Sequence, residues 1–277
     1  MIGQVNLQKT FTDLIEQGKL PKSMIICGRK GSGKKTISEF IGKKMGVNVA
    51  KLPDCKVDTL RTLIEDAYSL TETTIYVVPN LDNASVNARN ILLKVIEEPP
   101  TSVYFIITCS NIENILDTIK SRCQIYYLDN YTPNEIVEYC NAEYNLDSED
   151  VEVVRNICTT FRDVDILVSY NIKEFVSYVD LVIKNIEKVQ LSNSFKIGNK
   201  LSFKKDDGLY NLELFFRIFS NRLLQMYRDD QKVKYLEGMT ITGFYLNRLS
   251  LVSINKQMVF DTWLMEIRSK WRAYGNN

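Results

Sequence analysis

The sequence predicts an α/β domain, a parallel sheet with helices on both faces, followed by a small helical domain and an all-α C-terminal domain. Three observations predict it. Short, wholly apolar segments such as "SMIICG" and "VYFIITCS" read as strands buried on both faces, the mark of a parallel sheet. They alternate with amphipathic helices through the first 130 residues, the order expected of successive βαβ units. Beyond "YTPNE" the strand pattern stops and only helical spacing remains.

Each element follows from its residues. "NLQKTFTDLIEQGKL" carries Leu7, Phe11, Leu14 and Ile15 at helical spacing. "SMIICG" is a strand running into a Gly-rich turn, and "KKTISEFIGKKMG" a helix closed by Gly46. "VDTLRTLIEDAYSL" is a second amphipathic helix of this kind, and "TTIYVVP" a strand of β-branched and aromatic residues. "SVNARNILLKVIEEPP" is a helix stopped by Pro99 and Pro100, which cannot continue it. "VYFIITCS" is the third strand, "ENILDTIKSRC" a short helix and "QIYYL" the fourth strand. Residues 132–189 read as short helices, the first opened by Thr132 as N-cap, Pro133 at the first helical position and Glu135 two residues on. The polar stretch 191–208 reads as a loop or linker. From Leu209 the helical spacing returns, with Phe215, Phe216, Phe219, Leu223, Leu224, Trp263 and Trp271 expected mainly in a core. The expected domains are therefore 1–130, 131–190 and 191–277.

Composition narrows the chemistry. A chain of 277 residues with 45% apolar and 25% charged residues is ordinary globular material. Its net charge of +1 marks it for neither nucleic acid nor membrane as a whole, so any such contact must come from a local patch. There are no histidines, which excludes Ser-His and Cys-His nucleophile pairs and most zinc sites. The six cysteines are scattered without a C-x-x-C pair, so neither zinc, nor any other metal held by cysteine, nor a disulfide framework is expected. They read as reduced, mostly buried thiols. No apolar run reaches the roughly 18 residues of a membrane span, and no basic-then-apolar leader opens the sequence. A cytoplasmic protein is expected.

The stretch "ICGRKGSGKKT" carries the clearest chemistry. Gly28, Gly31, Ser32, Gly33 and Lys34 form a phosphate-gripping loop between a buried strand and a helix, the context that gives the G-x-x-x-x-G-K-[ST] pattern its meaning. Its glycines let backbone N–H groups face an anion, and the following helix adds its positive end. The magnesium-binding hydroxyl is missing, because Lys35 stands in its place and has donors only. Thr36 comes one residue late, about 100° further round the helix; Lys35, offsetting phosphate charge in place of the metal, and Thr36 still belong to the expected nucleotide-binding set. The strand "IYVV" ends in Pro79-Asn80 where a hydrolytic site needs a carboxylate, and Asp82 would serve only with a rearranged loop. A dead or feeble ATPase is expected.

"ARNILLKVIEEPP" followed by "VYFIITCS" and "TIKSRCQIYYL" closely resembles the clamp-loader branch of the AAA+ proteins, and "QGKLPKSMIICGRKGSGKK" is similar to that family's opening. The likeness covers about residues 4–130. It implies a RecA-like P-loop domain with a helical lid and a C-terminal collar. It implies that Arg122 of the S-R-C triplet is an arginine finger offered to a neighbouring subunit, and that Ser110 or Asn111 holds the sensor 1 position. "TTFRDVDIL" resembles the sensor 2 segment and points to Arg162, although an ordinary helix-surface arginine fits the same pattern. The helix after the Walker B strand faces primer–template DNA in this family, which implies phosphate contacts by Asn87, Arg89 and Lys94; a solvated helix face is the alternative. The departures at Lys35, Pro79 and Asn80 resemble the delta prime subunit, which keeps its finger but has a degenerate nucleotide site. The four-cysteine zinc module common in that subunit is missing, since only Cys55 lies in that interval. The resemblance implies weakly held ATP or ADP, with the magnesium question open. It also implies a hetero-oligomeric ring with other clamp-loader subunits, a sliding clamp, primer–template DNA and no membrane. Two alternatives stand beside it: an active clamp-loader ATPase using Thr36 and Asp82, and a non-hydrolysing AAA+ scaffold for another replication or repair partner.

Overall fold

The computed structural model describes residues 2–188, 198, 200–203, 210–249 and 254–275. They fall into two compact units, Met1–Tyr139 with Thr159–Arg162, and Cys140–Cys158 with Asp163–Asn277. The first unit thus runs past residue 130 and takes in a short return segment. The expected boundary at 190/191 and most of the expected loop over 191–208 lie outside the described residues.

The first unit is built as α1 (Val5–Glu16), β1 (Ser23–Cys27), α2 (Lys34–Met45), β2 (Asn48–Lys51), α3 (Val57–Ser69), β3 (Thr74–Val78), α4 (Val86–Glu97), β4 (Val103–Cys109), α5 (Asp117–Lys120) and β5 (Gln124–Tyr127). The five strands form one parallel sheet in the order β2-β3-β4-β1-β5. β1 and β3 are buried along their whole length, as their unbroken apolar runs require. Alternate side chains build two cores. Ile25, Val78, Phe105 and Ile107 pack with Leu60 and Leu63 of α3 and with Leu92 and Val95 of α4. Met24, Ile26, Val77 and Ile106 pack on the other face with Phe11 of α1 and with Ile37 and Ile41 of α2. Each fully buried aliphatic side chain contributes about 1.5–3 kcal/mol by leaving water.

The residue pattern marks four strands, and the fifth is β2. Its residues are half-buried or exposed, so "NVAK" carries neither a clean alternation nor a continuous apolar run. The expected stops are present. Gly46 closes α2 at φ 67°, and α4 ends just before Pro99. α6 (Pro133–Glu143) opens with a reciprocal capping box: Glu135 accepts from the Thr132 amide at 2.7 Å, and Thr132 Oγ1 accepts from the Glu135 amide at 3.3 Å.

The second unit is helical: the end of α6, then α7 (Ser148–Ile157), α8 (Phe161–Val168, whose first two residues belong to the first unit), α9 (Ile172–Asn185), α10 (Leu212–Asp230), α11 (Val233–Arg248) and α12 (Lys256–Gly275). A two-residue parallel pair, β6 (Leu201–Ser202) and β7 (Tyr210–Asn211), interrupts the helices and is too short to leave a periodic signal. Phe215, Phe216, Phe219, Phe260, Trp263 and Trp271 fill the core, so these aromatics serve mainly as packing. Arg217 is almost fully covered and pairs with Asp163 at 3.0 Å and Glu213 at 2.5 Å, which keeps its charge from being stranded. The Trp263 indole donates to Thr242 Oγ1 at 3.0 Å in the interior. Thr242→Val keeps the volume but leaves that N–H unpaired, and should cost about 1–3 kcal/mol, read as a lower urea midpoint at unchanged slope.

Candidate nucleotide loop and arginine finger

Because every strand of a parallel sheet ends on the same side, the segments after β1, β3, β4 and β5 converge. The loop after β1 takes the backbone path its glycines permit, with Gly31 at φ 90° and Gly33 at φ 94°. Its surroundings also demand glycine. A Cβ on Gly31 would lie 2.4 Å from Arg162 Cβ, and one on Gly33 would lie 2.6 Å from Tyr131 Oη. Tyr131 Oη donates to the Ser32 carbonyl at 3.2 Å, and its ring stacks on Phe161 at 3.7 Å. Burial, together with the nearby Glu135 carboxylate, pushes the Tyr131 phenol up to about 12, so it stays a neutral donor at physiological pH.

Gly33 is the N-cap of α2 and supplies no side-chain acceptor, so the first helical N–H groups keep their affinity for an anion. Ser32 Oγ is buried without a partner at the same loop. Lys34 is folded back: its ammonium donates to the Gly28 carbonyl and, at 2.9 Å, to the Arg29 carbonyl. Burial lowers its pKa from the ordinary lysine value. Lys35 and Thr36 are exposed on the first turn. The phosphate part of a nucleotide fits this donor set. A divalent cation finds few ligands here, because position 35 presents an ammonium and Asp82 Oδ2 is taken by two amides, which leaves its Oδ1 as the buried carboxylate oxygen without a partner.

Asp82 is a buried anchor. Its Oδ2 accepts from the amides of Ser110 at 3.0 Å and Asn111 at 3.1 Å, which ties the segment after β3 to the segment after β4. Asn80 enters that segment at φ 49° and donates its amide to Thr108 Oγ1 at 3.1 Å. The Asn111 side chain accepts from the Glu113 amide, so it caps the next turn. Thr108 is a polar residue at this junction that the sequence reading passed over; a hydroxyl one residue from the end of an apolar strand was the available signal.

Arg122 follows α5. Its guanidinium reaches Glu97 Oε1 at 2.9 Å and the Thr118 carbonyl at 2.9 Å while keeping 39% of its side-chain surface exposed. Glu97 belongs to the E-E-P-P element, so the two most specific motifs of the chain touch each other. Arg162, the second residue of α8, packs against Gly31 of the loop, bringing the expected sensor 2 arginine beside the expected phosphate site. On α4, Asn87 and Lys94 are exposed seven residues apart, nearly aligned on the helix. Arg89 is half-buried and donates to the Asp82 carbonyl at 3.0 Å, so its charge is turned inward. Among the described residues no helix is long and apolar enough to cross a membrane.

The DNA polymerase III, delta subunit family model matches residues 50–132. The DNA polymerase III gamma subunit of Buchnera aphidicola subsp. Schizaphis graminum is 24% identical over 189 residues, 56% of this chain and 52% of the relative. The delta prime subunit of Yersinia pestis is 35% identical over 75 residues, 26% of this chain and 22% of that one. The chain thus spans about half of the first relative and a smaller part of the second. Among solved structures, a DNA polymerase III gamma subunit-related protein of Thermotoga maritima superposes with a TM-score of 0.52 at 14% identity, covering 95% of this chain and 99% of that one. At that identity the likeness concerns the fold alone. Together these likenesses bear out the resemblance carried by the two motifs.

Asp82→Ala would leave two amides without their acceptor in a buried turn. It should lower stability by about 2–3 kcal/mol, whereas Asp82→Asn, whose amide oxygen still accepts, should lose clearly less. Denaturant titration of the two variants compares them directly.

Proposed function

Taking the chain as a clamp-loader AAA+ subunit of the delta prime type, we propose that it is the stationary member of a hetero-oligomeric clamp loader in DNA replication. It helps place a sliding clamp on primed DNA while its partners bind and hydrolyse the ATP. The observation that carries this reading is the placement of Arg122. The guanidinium is exposed at the domain surface, tethered by Glu97 and Thr118, and aimed at nothing in its own nucleotide loop. An arginine held this way is fit to reach the γ-phosphate on a neighbouring subunit and to stabilise charge that develops there.

The chain's own site supports a non-hydrolysing role. Its loop offers amides and Lys34 to phosphates, so ATP or ADP is held weakly, with Arg162 beside it as a sensor. Magnesium chemistry has little to organise it: Lys35 replaces the hydroxyl, and Asp82 commits Oδ2 to the amides of Ser110 and Asn111, keeping only Oδ1. Contact with primer–template DNA falls to Asn87 and Lys94, which hold the phosphate backbone without reading sequence. Arg89, bonded to Asp82, supports the helix they stand on.

The test is the ATPase rate of the reconstituted loader with clamp and primed DNA. Arg122→Ala should lower it by about 10³-fold or more, the range of a lost arginine finger. Glu97→Ala should cost several-fold through a less well placed guanidinium, and Lys34→Ala should change little. If Lys34→Ala abolishes turnover and Arg122→Ala leaves it intact, the chain is itself the motor and the reading fails.

A further inference from the structure

Two cysteines face each other directly beneath the nucleotide loop. Cys27 ends β1, Cys109 ends β4, and the register of the parallel pair sets them opposite one another. Both side chains point to the same side of the sheet, since both belong to the core formed with α3 and α4. Paired strands lie about 4.8 Å apart, within the Cα separation that a disulfide spans. The register therefore sets the two thiols side by side on one face of the sheet. The four other cysteines, Cys55, Cys123, Cys140 and Cys158, are free as well.

We propose that Cys27 and Cys109 are a peroxide-responsive pair that closes reversibly into an intramolecular disulfide. The chemistry balances with a hydroperoxide as oxidant. The Cys27 thiolate attacks one peroxide oxygen and the O–O bond breaks. The departing hydroxide is protonated to water, and Cys27 becomes a sulfenic acid. The Cys109 sulfur then attacks the Cys27 sulfur, the S–S bond forms and the S–O bond breaks. The second hydroxide leaves as water with the Cys109 proton. Two thiols and one hydrogen peroxide give one disulfide and two waters; a dithiol reverses the step by exchange.

The surroundings suit the two sulfurs to these roles. The Cys109 hydrogen bond holds Cys27 down to about 7 despite burial, and the Lys34 ammonium assists. Cys109 is pushed upward by the same contact and by burial, as befits the resolving thiol. Burial pushes Cys55 up to about 11 and Cys123 up to about 12, so they remain thiols at neutral pH although they are the more accessible pair. The order of reaction therefore runs against the order of exposure. Closing the bond would also act on the loop above. The Gly28 amide donates to the Cys109 carbonyl at 3.1 Å, and the Gly28 carbonyl accepts from Lys34, so the bridge fixes the root of the phosphate site.

The experiment is a time course of the full chain with stoichiometric hydrogen peroxide at neutral pH. Free thiols are then alkylated and peptides mapped by mass spectrometry without reduction. A linked Cys27–Cys109 peptide should form at least roughly tenfold faster than Cys55 or Cys123 is consumed, from thiolate fraction offset by lower nucleophilicity. It should vanish on treatment with dithiothreitol. In Cys109→Ser, Cys27 should instead be trapped by dimedone as a sulfenic acid. Earlier oxidation of Cys55 or Cys123, with Cys27 and Cys109 unlinked in the wild-type chain, overturns the proposal. So does a Cys109→Ser protein whose Cys27 takes no dimedone. Neither readout depends on nucleotide or on partner subunits.

Discussion

The parallel pairing of β1 with β4 on one side and β5 on the other is the constraint from which the site follows. Met24 to Cys27 sit opposite Ile106 to Cys109 and opposite Gln124 to Tyr127. Every residue of β1 is buried, so a slip in register would exchange its two faces and expose one core or the other. With that register fixed, three chain segments leave the sheet together: the glycine loop after Cys27, the turn after Cys109 and the segment after Tyr127 that carries Tyr131. The loop is then shaped from outside as much as by its own glycines, because Tyr131 and Arg162 stand where Cβ atoms on Gly33 and Gly31 would fall.

A second tie acts across the sheet. Asp82 spans from the end of β3 to the end of β4 with a carboxylate oxygen that accepts two backbone amides. In a hydrolytic P-loop protein a carboxylate at this edge of the sheet is kept for metal and water. Here the acid is drawn into the architecture, while Glu97 and Arg122 pair at the opposite edge of the sheet. The second unit uses charge differently: its buried Arg217 has two carboxylate partners, Asp163 and Glu213.

Much of this was legible in the residues because much of it is local. The Thr132–Glu135 capping box, the stop at Pro99, the closure at Gly46 and the four apolar strands each depend on a handful of neighbouring positions. The glycine turn after β1 is legible for the same reason, as a spacing inside one turn. What was not legible depends on distance along the chain. Nothing in "LDNAS" announces that Asp82 will bond amides 28 and 29 residues away. Nothing in "EEPP" or "SRC" alone says that Glu97 will hold Arg122. β2 leaves little signal because an edge strand needs only half a face, and helical spacing cannot show that the Arg89 side chain turns back to Asp82. Such pairs become visible only when the register of the sheet is known.

Lys34 gives the loop a property beyond its shape. Its ammonium is bound to carbonyls of the very turn that would wrap a phosphate. An arriving anion therefore meets an internal rival: the lysine must let go of two neutral acceptors before it can neutralise the newcomer. The exchange favours a highly charged guest over a singly charged one, since only strong Coulombic gain outweighs two good hydrogen bonds at a partly dry site. By that geometry a polyphosphate would displace the lysine from its carbonyls more readily than a singly charged anion would.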